Sequence, residues 1–518
     1  MIKDFHRFII FDSKILGTFV EYSINPLYLL TFCVLKLTLI IPWIMKIKSK
    51  FTQILPFYLF TIGFFLILIS PNILSDGMFM DGLYYATIAK NLSNGIGSFW
   101  NPHFTATFMP EFHDHPPLAF GIQSIFFTIF GESRYIDKMY SLLTFIIVGY
   151  IILLIWNYLG YKNGWFPLFL WITIPLVFWA CTNNILENTL SIFVSLSILF
   201  YLKSQNSKKY FFILLSGLML SFGFLTKGFV AFFPWTFPFL LWLLLRRKSV
   251  YNMAFDSIGV FITTIIPLIL LVLLFPEAKL SIGKYIESQV IHSLKNVTTV
   301  DYRFYIVIRL FFELIPAIVL SILIVVWGWS RKVSIYLLKV NYKQALVFFL
   351  LGLTGVLPIM ISMKQSGFYI LTTFPFFALS FGILLNPLVE MIIDRINYQS
   401  KGFLIFKFIG YSLFFIGILS SMYFANQIGR DKKIINDTYI ITLTIPAGIT
   451  INILPNMWQD WCLHGYYYRY KNISLDTNLD NKREYFLIQS MNPSDTTALR
   501  DYKKVELQTL EYQLYRKK

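Results

Sequence analysis

A run of about twenty mostly apolar residues, the length that a helix needs to cross a bilayer, recurs eleven times along this chain between short polar connectors. Examples are "ILPFYLFTIGFFLILIS" (54–70), "MYSLLTFIIVGYIILLIW" (139–156) and "FYIVIRLFFELIPAIVLSILIVVW" (304–327). Lipid offers no partners to an open backbone, so such runs are expected as helices. Composition agrees: 56% of the 518 residues are hydrophobic and 14% are charged, where a soluble domain carries about 25% charged residues. The reading is an all-α polytopic integral membrane protein of about 11–13 transmembrane helices. Its spans fall near 54–70, 139–157, 165–181, 188–202, 210–226, 229–245, 255–275, 305–328, 345–362, 368–388 and 404–424.

The formal charge of +17 would point to nucleic acid in a soluble protein, but here the basic residues sit in short clusters between spans. "KIKSK" (46–50), "GYKNG" (160–164), "KSQNSKK" (203–209), "RRK" (246–248) and "SRKVSIYLLKVNYK" (330–343) all fall on one side, which the positive-inside rule makes cytoplasmic. No nucleic-acid partner is expected. The count holds only if "PPLAFGIQSIFFTIFG" (116–131) does not cross and instead forms a short amphipathic or re-entrant helix after its Pro pair. The polar loops left on the extracytoplasmic side are 71–138, 181–188, 226–228, 276–304 and 363–368, with the tail from about 425. Three regions follow: an N-terminal segment 1–50, a transmembrane region 51–424 with first external loop 71–138, and a small extracytoplasmic α/β domain 425–518. Within the tail, "TYIITLTIPAG" alternates like a strand. Its "MWQDWCLHGYYYRYKN" is dense in aromatics, which suit either stacking on sugars or an aromatic core with residues at the membrane interface.

Residues 26–45 read either as an extra helix or as upstream of a start at Met45, and no cleavable signal is evident. Cys33, Cys181 and Cys462 are scattered, with neither a disulfide framework nor a thiolate metal spacing.

The polar residues of the external loops are the candidates for chemistry. Asp81, before "GLYYATIAKNL", suits a general base for a hydroxyl at the membrane surface, and equally a helix N-cap. Asp76, in the same loop, is its rival. "EFHDHPPL" sets His113 and His115 around Asp114, a group suited to phosphate oxygens or to a divalent cation. Adjacent residues cannot all point one way, so a metal drawing on Asp114 and His115 would need a further ligand such as His292. A divalent metal ion is the one cofactor these residues suggest. Glu187 opens a span, where the helix dipole favours a carboxylate. Lys227 and Lys364 interrupt apolar stretches at span ends, as functional cations do or as snorkelling lysines do.

In order, "DGLYYATIAKNL", "FHDHPPL", "NNILEN", "GFLTKG" and "MKQSGFYILTTFPFFAL" resemble the membrane glycosyltransferases of the GT-C fold, specifically the protein O-mannosyltransferase-like family and the lipid A aminoarabinose transferases. The resemblance covers roughly residues 54–390. It implies a polyprenyl-phosphate-linked sugar donor, a lipid, glycan or protein acceptor, inversion at the anomeric carbon, and an extracytoplasmic site in a bacterial inner membrane. It also implies Asp81 as the base with Tyr85 beside it, because Asp81 and not Asp76 fits the family's acidic-loop setting. His113, Asp114, His115, Glu187, Lys227 and Lys364 are then implied to bind substrate. The usual lysine before the prolines is replaced here by His115, which shifts the implied phosphate contact towards Lys227 and Lys364. The alternative from another class is a transporter or lipid flippase, which would place its charges near the bilayer midplane in two related halves. No internal repeat is visible.

Overall fold

The computed structural model describes residues 50–293, 297–330, 335–489 and 496–518. The extra helix at 26–45, and Cys33 within it, lie outside them. Nine helices among the described residues are long and apolar enough to cross a membrane. Helix α1 (Lys50–Ile73) runs out to the first loop, which holds α2 (Met80–Ser93) and α3 (Leu118–Phe130). Helix α3 has 13 residues, about 20 Å, so it cannot cross hydrocarbon alone. This agrees with the short-helix reading of 116–131.

The chain returns through α4 (Ile136–Tyr158) and goes out again as two short helices, α5 (Trp165–Ile172) and α6 (Pro175–Cys181). Pro175 cannot donate to the preceding turn, and the helix breaks there. The broken segment packs along α1 and onto the loop that follows it. Trp165 stacks on Phe57 at 4.8 Å, Phe169 packs on Phe60 at 5.6 Å and Trp179 meets Phe79 at 5.3 Å. Helix α7 (Leu186–Ser204) then descends and α8 (Lys209–Lys227) ascends.

The apolar stretch Lys209–Leu245 is a hairpin rather than one rod. Gly228 takes φ 79°, and beyond it a 3₁₀ stretch (Gly228–Thr236) leads into α9 (Phe237–Leu245). Ser221 donates to the carbonyl of Thr264 (2.8 Å) while Trp235 donates to the hydroxyl of the same residue (3.1 Å). In a straight helix those two residues would stand about 21 Å apart. Counting the hairpin as two segments and including the broken one, the described residues place helices at each of the eleven expected positions. The remaining ones are α10 (Val250–Leu274), α12 (Tyr305–Ser330), α13 (Tyr342–Val356), α14 (Phe374–Asp394) and α15 (Lys401–Tyr423). The short helix α11 (Pro276–Tyr285) lies between α10 and α12, outside the spans.

Membrane helices gain little from burying apolar surface against each other, so close backbone approach matters more. Helices α1 and α15 show it. A Cβ at Gly63 would stand 2.5 Å from the Phe414 amide, and one at Gly417 would stand 2.5 Å from the Leu66 Cβ.

The tail forms a five-stranded mixed sheet in the order β2-β1-β3-β5-β4, made of β1 (Thr450–Ile453), β2 (Ser474–Asp476), β3 (Tyr485–Gln489), β4 (Tyr502–Lys504) and β5 (Tyr512–Lys517). Its helices are α16 (Lys432–Thr444) and α17 (Trp461–Lys471). The strand expected at "TYIITLTIPAG" is instead the second half of α16. With Ile435 just before them, these residues carry a helical stripe, Thr438, Ile441 and Thr442, which is buried. Buried Asp437 fixes that face by accepting three amides, from Leu510, Glu511 and Tyr512, at 2.7–2.9 Å. The aromatics of "MWQDWCLHGYYYRYKN" form a core with the first loop. Trp461 packs on Tyr84 and Phe108, and Trp458 packs on Phe108.

Candidate active site

Two ends of the bundle differ in polarity. At one, Lys209 and Lys248 both pair with buried Asp256, at 2.7 and 2.6 Å, beside the basic 203–209 and 246–248 connectors. At the other end the candidate residues of the polar loops gather, and α2 is their platform.

Asp81 lies in the first turn of α2, whose N-cap is Phe79. The cap reading for Asp81 is therefore overturned: Phe79 holds that position because the Asn183 side chain accepts its amide at 2.8 Å. The half-buried Asp81 carboxylate receives no hydrogen bond from any described residue. Burial pushes it up to about 6, against the pull of Lys227 and Lys364 and with a further upward push from Glu187 and Asp114. Those four charges come from four separate parts of the sequence, so tertiary structure converges them on one carboxylate.

The rival Asp76 has a different place. It is buried, and its carboxylate accepts from the Gly77 amide (2.7 Å), from the Tyr470 hydroxyl (2.6 Å) and from Tyr439. Its backbone pairs with Gln427 and Gly429. A buried carboxylate already accepting three hydrogen bonds ties the loop to the tail and is held away from a substrate.

Close packing explains how α2 is aimed. A Cβ at Gly82 would stand 1.9 Å from the Asn183 carbonyl oxygen, so only glycine lets the helix seat on the 181–185 corner. Asn184 then donates to the Gly82 carbonyl at 3.1 Å. One turn on, Glu187 is buried and forms an ion pair with Lys227, whose ammonium also lies over the rings of Phe368 (5.3 Å) and Tyr369 (5.0 Å). Lys227 thus already has a carboxylate partner.

The "FHDHPPL" group splits three ways. His113 is buried, bonds the Ser281 hydroxyl at 3.2 Å, and braces the first loop against α11. Asp114 is half-buried and is raised by burial, against a hydrogen bond from Gln289 and the charge of Lys364. His115 packs edge-on against Tyr85 at 5.7 Å, and its buried Nδ1 has no protein partner. Burial, with Lys227 and Lys364 nearby, holds its ring well below the usual imidazole range, so it is neutral at pH 7. Tyr85 itself is fully buried against Phe120 and Tyr84, supporting His115 from behind.

Lys364 is half-buried and donates to Gln289 (2.9 Å) and to Ser293 (3.1 Å). Burial lowers it, while Asp114 and Asp81 raise it. Sequence reasoning missed Gln289, Ser293, Asn183 and Asn184. "NN" ahead of a span was the one local signal for the last two, since Asn favours turns and caps.

The metal reading is not supported by the arrangement. Among the described residues, no three His, Cys, Asp or Glu side chains come together to hold an ion. His292 is exposed, away from the set that Asp114 and His115 would have needed. The reason is a change of helical period: residues Ile286–Ile291 form a π-helix, which shifts the inward face by one position.

A protein-family model described as dolichyl-phosphate-mannose-protein mannosyltransferase matches residues 114–274. A search of curated proteins returns no match. Among solved structures, the chain is similar to ArnT from Cupriavidus metallidurans. The match to its apo state has 12% identity and a TM-score of 0.61, covering 88% of this chain and 97% of that one. The match to the form bound to undecaprenyl phosphate has 13% identity and a TM-score of 0.63, covering 88% and 96%. An oligosaccharyltransferase from Archaeoglobus fulgidus, in its apo form, matches with 12% identity and a TM-score of 0.51, over 82% of this chain and 65% of that one. The likeness to these structures, with the first loop built on α2 and α3 and a small sheet domain following the described membrane helices, makes this a protein of the GT-C fold.

Proposed function

We propose that this chain transfers a sugar from a polyprenyl-phosphate donor to an acceptor hydroxyl on the extracytoplasmic face of a bacterial inner membrane, with inversion and with Asp81 as the base. The observation that carries this reading is the Asp81 carboxylate, half-buried and free of hydrogen bonds, with Lys227, Lys364, Glu187 and Asp114 around it. A base that titrates near 6 is ionised at neutral pH and still holds a proton well enough to take one in the transition state. The acceptor O–H proton passes to Asp81 as the oxygen forms its bond to the anomeric carbon. The bond from that carbon to the phosphate oxygen breaks, and polyprenyl phosphate leaves with the electron pair.

Charge grows on that phosphate as it departs, so a fixed cation beside it lowers the barrier. Lys364, which has no carboxylate in direct contact, is assigned that part. His115 is assigned the part of a neutral donor to the same group. Lys227 is paired with Glu187 and acts on Asp81 through its field rather than by binding phosphate. The ArnT structure holding undecaprenyl phosphate supports a lipid carrier of this class.

The test is sugar transfer by the purified full-length protein from a polyprenyl-phosphate-linked donor, followed by mass analysis of the products. Transfer should be lost in Asp81→Asn. Undiminished transfer by that variant would remove Asp81 from the role. Lipid movement without any glycosylated product would replace the enzyme reading by transport. Comparing envelope glycans and lipids from cells with and without the protein identifies the acceptor.

A further inference from the structure

The segment from Pro276 to Ser293 touches His113, Lys227 and Lys364 of the site, although the motifs do not include it. Ser281 bonds His113 at 3.2 Å, Lys284 pairs with Glu111 at 2.5 Å, and the Tyr285 hydroxyl donates to the Lys227 carbonyl at 3.4 Å. Residues 281, 284 and 285 share one face of α11, as i, i+3 and i+4 must. Continued as an α-helix, that face would next present Ser288 and His292. The π-helix at Ile286–Ile291 takes up an extra residue per turn, so the face passes to Gln289 and Ser293. These two contact Lys364, whereas Ser288 and His292 are exposed. π-Turns are rare and are frequent at functional sites.

Gln289 is placed between two opposite charges. Its carbonyl oxygen accepts from the Lys364 ammonium at 2.9 Å, and its amide lies near enough to the Asp114 carboxylate to favour the charged form of that group. Lys364 makes no ion pair among the described residues, although Asp114 is near enough to act on its charge. We infer that Gln289 is a positioning residue that holds Lys364 and Asp114 apart, so that the third proton of the ammonium stays available to the phosphate of the lipid carrier. A direct Lys364–Asp114 pair would satisfy both groups and withdraw the cation from the ligand. Glutamine suits the place because one neutral amide can accept from a lysine and donate to a carboxylate at once.

This inference rests on the glycosyl-transfer reading, and its test separates the two. Binding of undecaprenyl phosphate is measured on the purified full-length protein in lipid nanodiscs. In Gln289→Leu, Lys364 should fall onto Asp114 and binding should weaken about tenfold, the loss of one hydrogen-bonded charge contact. Adding Asp114→Asn to that variant should restore most of the affinity, because no carboxylate remains to capture the lysine. Gln289→Glu should weaken binding by pairing with Lys364 itself, and Asp114→Asn should not restore it. A merely structural glutamine would not be rescued by a second substitution at Asp114. Wild-type affinity in Gln289→Leu, or failure of the rescue in a double variant that elutes and melts like the wild type, would overturn the inference alone. Absence of binding by the wild-type protein would overturn the carrier-lipid reading and this inference with it.

Discussion

A carboxylate without a hydrogen bond, half-buried near four charges, is a costly arrangement that folding alone does not require. Asp81 therefore sets the clearest residue-scale expectation. Because burial raises it to about 6, it is protonated below that pH and cannot take a proton. The acidic limb of kcat/KM should bend near pH 6 and fall about tenfold per unit below it, the slope for one essential base. A pH–rate profile of the purified enzyme checks this, and a limb bending near 4 would mean an unperturbed base. The buried Lys227–Glu187 pair gives a second expectation. Lys227→Met leaves Glu187 charged, buried and alone, at a cost of about 3–5 kcal/mol. The double variant Lys227→Met/Glu187→Gln should regain much of that loss in thermal unfolding, even though transfer stays impaired.

At the scale of elements, the site depends on how closely α2 approaches the 181–185 corner. Gly82→Ala puts a methyl carbon 1.9 Å from the Asn183 carbonyl oxygen. Either the helix or the corner must retreat, and overpacking of this kind costs about 1–3 kcal/mol. The expected outcome is transfer reduced by roughly 100-fold, since displacing a reacting group by about 1 Å has that effect, with Asp81 itself untouched. Normal activity in a folded Gly82→Ala protein would show that the approach does not aim the base. Sequence made the existence of these elements legible, because spans of twenty apolar residues and a Pro pair before a short apolar run are local patterns. Of their breaks, the reversal at Gly228 falls in the 226–228 connector that the sequence places between two spans, whereas the split at Pro175 lies inside 165–181, which reads as one continuous span. The misread strand at 438–448 shows the same limit, since an alternating run can also contain a helical stripe. The π-turn is the hardest case, as it leaves no compositional mark and yet moves His292 outward and Gln289 inward.

At the scale of the whole molecule, the tail is fastened to the bundle by buried charge. Arg469 on α17 bonds both oxygens of Asp137 at the head of α4 (3.2 and 3.1 Å), together with the Ser133 carbonyl. Asp76 and its two tyrosines make a second tie, and Lys90 bonds the Arg469 carbonyl at 2.9 Å. Arg469→Met should cost about 3–5 kcal/mol, because it strands a buried carboxylate. The tail should then be cut at lower protease concentration. Salt should change little of this in the wild type, since a buried pair is poorly screened.

Sequence by itself determined the class of fold, the span positions, the separation of basic and polar connectors and the roster of candidate side chains. Those follow from the energetics of single residues in lipid and water, which act locally and leave a periodic trace. Only the tertiary structure separated free Asp81 from Asp76 with its three hydrogen bonds, gave Lys227 to Glu187, left Lys364 without a carboxylate and turned His292 away. Such outcomes depend on which donors and acceptors from distant segments meet in a poorly solvated space, where one contact decides whether a charge is available or satisfied.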